Sequence, residues 1–205
     1  MTTQPEFQEF PKMARLLRPI IVTEKIDGTN AQIYITPDGE MHVGSRTRWI
    51  TPENDNYGFA AWCRDHKEEL LKLGPGRHFG EWWGNGIQRG YGLPKGDKRL
   101  SLFNVTRWCL HGEVPDQIQS GDPTKPPKLQ QPLPPCVGLV PVLHWYGCSD
   151  ITHAADMAIR SLIERGSRAA RGFVNPEGVV AFHTASGIGF KRTIENDDQP
   201  KSKTK

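Results

Sequence analysis

Lys25 stands in a polar break, "EKIDGTN" (Glu24 to Asn30), between the apolar "PIIV" and the alternating "AQIYI". Asp27-Gly28 suits a tight turn, so the amine is presented where a strand ends. A lysine attacks a phosphoryl or carbonyl centre only when neutral. With a free pKa of about 10.4 it needs cations, a metal or desolvation to supply that form near pH 7. Glu24 and Asp27 work against this unless a divalent cation or a second lysine offsets them. Farther along, Glu81 lies in "FGEWWG", Glu177 in "NPEGVV" and Lys191 in "GFKRT", each beside or within a strand-like run. Two carboxylates and two lysines brought together at strand ends suit nucleotide phosphates and a divalent metal.

The elements that must position these groups are legible as periodicities. Ala31, Ile33 and Ile35 alternate with Gln32 and Tyr34, the pattern of a half-buried strand. "TPDGE" (Thr36 to Glu40) then turns the chain into "MHVGSR", a hairpin ending near Arg46. Phe59, Trp62, Cys63, His66, Leu70 and Leu71 recur at three and four residues and predict a helix within Asn56 to Leu73, stopped by Gly74-Pro75-Gly76. Arg77 to Pro94 reads as an aromatic strand followed by a glycine-punctuated loop, and Arg99 to Leu110 as a further strand. Seven prolines between Pro115 and Pro135 predict a long surface loop. Ser149 or Asp150 can cap a second helix with an apolar face from Ile151 to Ile163, ended by Gly166. Gly172 to Ile194 reads as two strands about a turn at His183 to Gly187. Many strands with only two convincing helices predict α+β rather than a repeated βαβ order.

Composition sets the class. The 205 residues are 36% hydrophobic, 24% charged and 9% aromatic, which describes a folding chain and excludes a disordered one. A net charge of +3 is compatible with a polyanionic partner without demanding one. Cys63, Cys109, Cys136 and Cys148 form no CxxC pair, and His144, Cys148 and His153 match no zinc spacing, so the thiols read as core groups in a reducing compartment. No run approaches the ~20 apolar residues of a membrane span, and "MTTQPEFQEF" has neither the basic start nor the hydrophobic run of a targeting segment. A cytoplasmic protein, of a bacterial or phage-infected cell, is expected.

Six motifs occur in order: K-x-D-G-x-N from Lys25, Ser45-Arg46, Phe79-Gly80-Glu81, Leu102 to Val105, Glu177 to Val180, and Phe190-Lys191. Together they resemble the covalent nucleotidyltransferases, and more closely the ATP-dependent RNA ligases of the branch typified by the second RNA ligase of bacteriophage T4. The resemblance runs from about Phe7 to Ile194. It implies an α+β nucleotidyltransferase domain, an ATP-grasp-like ligase fold with twisted antiparallel sheets and flanking helices, over residues 1–194. The proline-rich loop spans 115–135, and 195–205 form a flexible polar tail.

The resemblance also implies roles. Lys25 is the nucleophile that becomes lysyl-AMP. Glu24 lends its backbone to the adenine edge, Phe103 stacks on the ring, Glu81 accepts from the ribose, and Arg46 contacts ribose or phosphate. Asn30 orients the phosphates, Glu177 organises the metal with Asp27 as helper, and Lys191 holds the α-phosphate. ATP and Mg2+, with Mn2+ able to substitute, are the implied cofactors. The partner is RNA with 5′-phosphate and 3′-hydroxyl ends, joined by a monomer through lysyl-AMP and adenylylated RNA. Alternatives are a nucleotidyltransferase with another acceptor and a non-catalytic nucleotide- or RNA-binding module. The family's last motif commonly carries two lysines one residue apart. Here Gly189 and Thr193 flank Lys191 at that spacing, so either Arg192, which points the other way in a regular strand, substitutes through a shift in register or the site uses a single lysine. The chain ends about eleven residues after Ile194, so a catalytic domain alone is expected, its grip on RNA supplied by the domain's own surface, the proline-rich loop or a separate RNA-binding or repair partner.

Accessory residues carry two readings each. Trp82 and Trp83 are core or a base-stacking face. Arg89, Lys95, Lys98 and Arg99 are a nucleic-acid contact or a solvated loop. His183 alternates onto the face of Glu177, Val179 and Ala181 toward the pocket, and is a hydrogen-bonded structural group or a contact to the nucleotide edge rather than an acid or base.

Overall fold

The computed structural model describes residues 6–109, 131–146, 150–195 and 197. The alternating segment becomes β2 (Thr29–Ile35), preceded by β1 (Ile20–Lys25) and followed by β3 (Met41–Gly44). The Thr36–Glu40 turn closes the β2–β3 hairpin through Glu40 O, which accepts from Thr36 N–H at 2.8 Å. Next come α1 (Phe59–Asp65), α2 (Lys67–Leu70), β4 (Gly76–Gly84), β5 (Lys98–Leu102) and α3 (Val105–Trp108). After them lie β6 (Val137–Leu139), β7 (Val142–Tyr146), α4 (Ile151–Arg165), β8 (Gly178–His183) and β9 (Ile188–Thr193).

The strands form two sheets, ordered β7-β1-β8-β9 and β3-β2-β4-β5-β6. Every pairing is antiparallel except β5 with β6. The α+β class is therefore observed. Three apolar clusters hold it together. Ala31, Ile33, Ile35 and Leu100 pack the second sheet on α1 through Phe59 and Cys63. Ile20, Val22, Val179 and Ala181 pack the first sheet on α4. Ile21, Trp83, Tyr91 and Val140 join the two sheets.

Two predicted elements differ from what forms. The helix of 56–73 breaks at His66, whose backbone leaves helical geometry (φ −110°, ψ 18°), and the run ends in a 3-10 turn, Leu71–Leu73. The strand expected over 99–110 stops at Leu102. Asn104 instead caps α3, its Oδ1 accepting from Arg107 N–H at 3.1 Å, an alternative that Asn offers to a ladder. Asp150 caps α4 by accepting from Thr152 N–H at 2.8 Å, and Gly166 ends it. Ser149, Cys148, Leu110, residues 115–130 of the proline-rich loop and the tail apart from 195 and 197 lie outside the described residues. Among the described residues no helix is long and apolar enough to cross a membrane.

Trp82 and Trp83 are each 2% exposed, which settles their reading as core. Their indole N–H groups donate to Tyr57 O and Ser101 Oγ, at 3.2 and 3.0 Å.

Candidate active site

β1 belongs to one sheet and β2 to the other, so the three residues Ile26, Asp27 and Gly28 carry the chain across from sheet to sheet. The motif around Lys25 is therefore the crossover itself. Side chains alternate along β1, so Glu24 and Lys25 point to opposite faces. Glu24 is 1% exposed, and its carboxylate accepts from Ser167 Oγ (2.6 Å), Arg168 N–H (2.7 Å) and Ala169 N–H (3.0 Å). Burial pushes this carboxyl above its ordinary value while those three donors pull it back. The side chain is a tie to the loop after α4, and the Glu24 N–H already donates to Pro141 O at 2.9 Å.

Lys25 faces the other way and forms an ion pair with Glu177 Oε2, the lysine 23% and the glutamate 2% exposed. Glu177 is held beside it because Lys25 pairs with Gly178 across β1 and β8. Gly178 is dictated by space, since a Cβ would overlap Arg192 O and lie 2.7 Å from Thr193 Cα in β9.

The second sheet supplies Glu81. Its Oε1 accepts from Gly28 N–H at 3.1 Å, and Asn30 Nδ2 stands 3.5 Å from its Oε2, the pair being opposite each other on β2 and β4. The turn is fastened from outside. Asp27 N–H donates to the Tyr91 hydroxyl at 2.8 Å, and Arg89 Nε donates to Asp27 Oδ2 at 3.2 Å. Arg89 Nη1 reaches on to Asn175 O (3.0 Å) and Oδ1 (2.7 Å), which links the turn to the loop that leads into Glu177. Arg89 is thus neither a free nucleic-acid contact nor a solvated loop residue. No sequence motif marks Tyr91 or Asn175. Their signal is tertiary, with only the glycine-rich setting of Tyr91 as a hint.

Among the described residues no hydrogen bond or ion pair joins the remaining predicted residues to Lys25. Lys191 pairs with Val180, which pairs with Thr23, so it shares the Lys25 face of its sheet and is exposed. Phe103 N–H donates to Phe79 O at 2.9 Å just past β5, which continues the Glu81 face, and its ring is 41% exposed. Arg46 is exposed beyond the end of β3. Arg192 corrects one expectation. It points to the α4 face, where Nη1 is ion-paired with Asp156, so it does not substitute for a missing lysine beside Lys191. His183 is not beside the pocket: it alternates with Val179 and Ala181 onto the α4 face, with Nε2 2.7 Å from Leu16 O and Nδ1 accepting from Ser186 N–H at 3.2 Å.

Among the described residues no three His, Cys, Asp or Glu side chains converge to hold a metal unaided. The Glu177 and Asp27 carboxylates fit a hard divalent cation that takes one or two protein oxygens and fills its shell with phosphate and water.

Burial pushes the Glu81 carboxyl up to about 7, against Gly28 N–H and Lys25, while Glu177 and Asp27 add to the rise. The folded value lies above the ordinary one, so the folded state favours the neutral form. The Glu81 contribution to stability is full below about pH 4.5 and is lost as pH rises through about 7. Glu81→Gln, which carries no charge at any pH, should gain on the wild type by on the order of 3 kcal/mol between pH 4.5 and 8. Urea unfolding at the two pH values measures this, and a gap that does not change with pH counts against it.

Three solved forms of Naegleria gruberi RNA ligase share this fold. A mutant with ATP and Mn aligns with a TM-score of 0.51 at 19% identity, covering 87% of this chain and 50% of that one. Two apo mutants align with TM-scores of 0.50 at 20% and 19% identity, each covering 86% of this chain and 49% of theirs. The likeness is one of fold, and this chain spans about half the length of those ligases. No curated protein gives a significant match. The RNA ligase family model matches residues 18–192, which takes in the crossover, Glu81, Glu177 and Lys191, and the chain belongs to the RNA ligase family.

Proposed function

We propose that residues 1–194 form an adenylyl-transfer domain that joins RNA 3′-hydroxyl and 5′-phosphate ends at the expense of ATP. The observation that carries this reading is the crossover. It holds one partly exposed lysine against a buried glutamate of its own sheet and sets Glu81 of the other sheet beside the same turn. A merely solvated turn lysine needs no such partners.

In the first step the Lys25 amine forms a P–N bond to the α-phosphorus of ATP and the bond to pyrophosphate breaks. The ammonium proton leaves to solvent, to which Lys25 is 23% open. Glu177 fixes the amine before attack. Lys191, on the same sheet face, neutralises charge building on the α-phosphate. Glu81 accepts from the ribose, Phe103 lies against the base, and Arg46 and Asn30 meet ribose or phosphate oxygens. Glu24 contributes through the backbone it anchors. Mg2+ or Mn2+, held by Glu177 and Asp27, would lower the proton affinity of the amine and screen the phosphates. In the second step an RNA 5′-phosphate oxygen takes the AMP from Lys25. In the third a 3′-hydroxyl attacks that 5′-phosphate and AMP departs.

The test is incubation with Mg2+ and ATP labelled at the α-phosphate, followed by denaturing electrophoresis. The wild type should retain label and Lys25→Ala none. No label on a preparation shown to be free of bound AMP would sink the first step. Label without joining of 5′-phosphorylated RNA would favour transfer to another acceptor.

A further inference from the structure

The face of the second sheet that carries Glu81 does not end at the transfer site. One row along, Gln32 and Phe79 pair across β2 and β4, and one row farther Tyr34 pairs with both His42 and Arg77. At about 3.4 Å per residue the Tyr34 row lies roughly 14 Å from the Glu81 row. Trp49 folds back over this face, bridging Gly44 so closely that a Cβ there would lie 3.1 Å from the indole. The rings of Tyr34, His42 and Trp49 lie 5.8 to 6.5 Å apart, centroid to centroid. The Arg77 guanidinium sits 4.5 Å from the Tyr34 ring and 5.7 Å from that of Trp49. Among the described residues no carboxylate pairs with Arg77.

These rings do not make the core of the hairpin. Ile33 and Ile35 do so on the opposite face, while Trp49 and Phe79 remain 51% and 50% exposed. Open aromatic faces beside an arginine whose ring stacking leaves its N–H edges free to donate are the parts of a single-strand platform. Bases stack without sequence preference and the cation meets a phosphate.

We propose that this row binds single-stranded RNA on its way to or from the transfer site, with bases on Trp49 and Phe79 and a phosphate on Arg77. The inference rests on the RNA ligase reading and adds the path that one RNA end takes over the sheet. The row lies on the sheet face that carries Glu81, in line with the transfer site, which suits a strand of nucleotides better than a protein partner.

The probe is a fluorescent oligouridylate RNA, its affinity read by anisotropy without ATP, beside α-labelling of Lys25. Trp49→Ala should weaken RNA binding about ten-fold, the loss of one stacked base, and Trp49→Phe should restore most of it. Arg77→Gln should lower the slope of log affinity against log salt by about 0.7, one phosphate contact on a single strand. Labelling of Lys25 should stay at the wild-type level in all three. Unchanged RNA affinity in Trp49→Ala and Arg77→Gln overturns the proposal. So does an equal fall of affinity and labelling, which marks the row as structural. Arg77→Gln changes an exposed side chain and keeps the test decisive if Trp49→Ala does not fold. A wild type that binds RNA through this row but takes no label overturns the proposed function and leaves the platform standing.

Discussion

Gly28→Ala should remove labelling of Lys25 and lower the stability of the domain by about 3 kcal/mol or more. A Cβ at this position would overlap the carbonyl oxygen of Trp82 and lie 2.7 Å from Trp83 Cβ and 3.0 Å from Glu81 Cγ. None of these atoms can retreat cheaply. Both tryptophans are 2% exposed, one packed in the cluster beneath the second sheet and the other in the cluster between the sheets. β4 itself is paired on both sides. The crossover must move instead, and it has little freedom. Shifting Gly28 takes its N–H off Glu81, and shifting Asp27 takes its N–H off Tyr91 and its carboxylate off Arg89. Each loss leaves a partly buried polar group without its partner, at about 1–3 kcal/mol for a fully buried one. Since Lys25 is the residue at which β1 enters this turn, its amine moves with it. Thermal unfolding and α-labelling measure the two effects. Full labelling at an unchanged melting temperature would mean that the crossover is looser than its packing implies.

Which parts of this architecture could be read beforehand follows from how local each signal is. The β2–β3 hairpin was legible because Ala31, Ile33 and Ile35 alternate and the Asp38-Gly39 turn is encoded in adjacent residues, Gly39 taking φ 90°. The β8–β9 turn was legible for the same reason. The stop of β5 was not, although Asn104 advertises a cap. "RLSLFNVTRWCL" is apolar enough for either state, and burial of Val105 and Trp108 against different clusters decides for a helical turn. In the site, ordered motifs single out Lys25, Asp27, Glu81, Glu177 and Lys191 as candidates, and the register of β1, β8 and β9 explains why Lys25 and the distant Lys191 share a face. The groups that hold them were invisible. Tyr91 and Arg89 reach the turn over 62 or more residues of chain, and Asn175 joins it through Arg89; no period or spacing encodes such a contact. Arg192 failed as a substitute lysine for a local reason that the sequence did contain. It neighbours Lys191, so a regular strand turns it to the other face, toward Asp156.

Glu24→Ala should cost on the order of 3–5 kcal/mol, although Glu24 performs none of the transfer chemistry. Its carboxylate closes a loop onto the end of β1, and removing it strands Ser167 Oγ and the N–H groups of Arg168 and Ala169 in a site where Glu24 itself is 1% exposed. Ser167 in turn accepts from Ala169 and Ala170 N–H, both at 3.1 Å, so the whole bend loses its centre. The damage should then reach the site along a chain of contacts. The bend leads to Phe173, which packs on Tyr91 with ring centroids 4.6 Å apart, and the Tyr91 hydroxyl holds Asp27 N–H. Glu24→Gln should fall between wild type and Ala, because one oxygen still accepts while its NH2 meets a donor. Because burial holds the Glu24 carboxyl above its ordinary value, its contribution is full below about pH 4.5 and declines as pH rises through the folded value. The cost of Glu24→Ala should therefore be larger in acid than at neutral pH. Urea unfolding at both pH values, with α-labelling of the folded fraction, tests this. A loss below about 1 kcal/mol would show that water satisfies the freed donors, and that the strand end presenting Lys25 is positioned without the Glu24 carboxylate, by its pairing with Gly178, the Glu177 ion pair and the ties of the crossover.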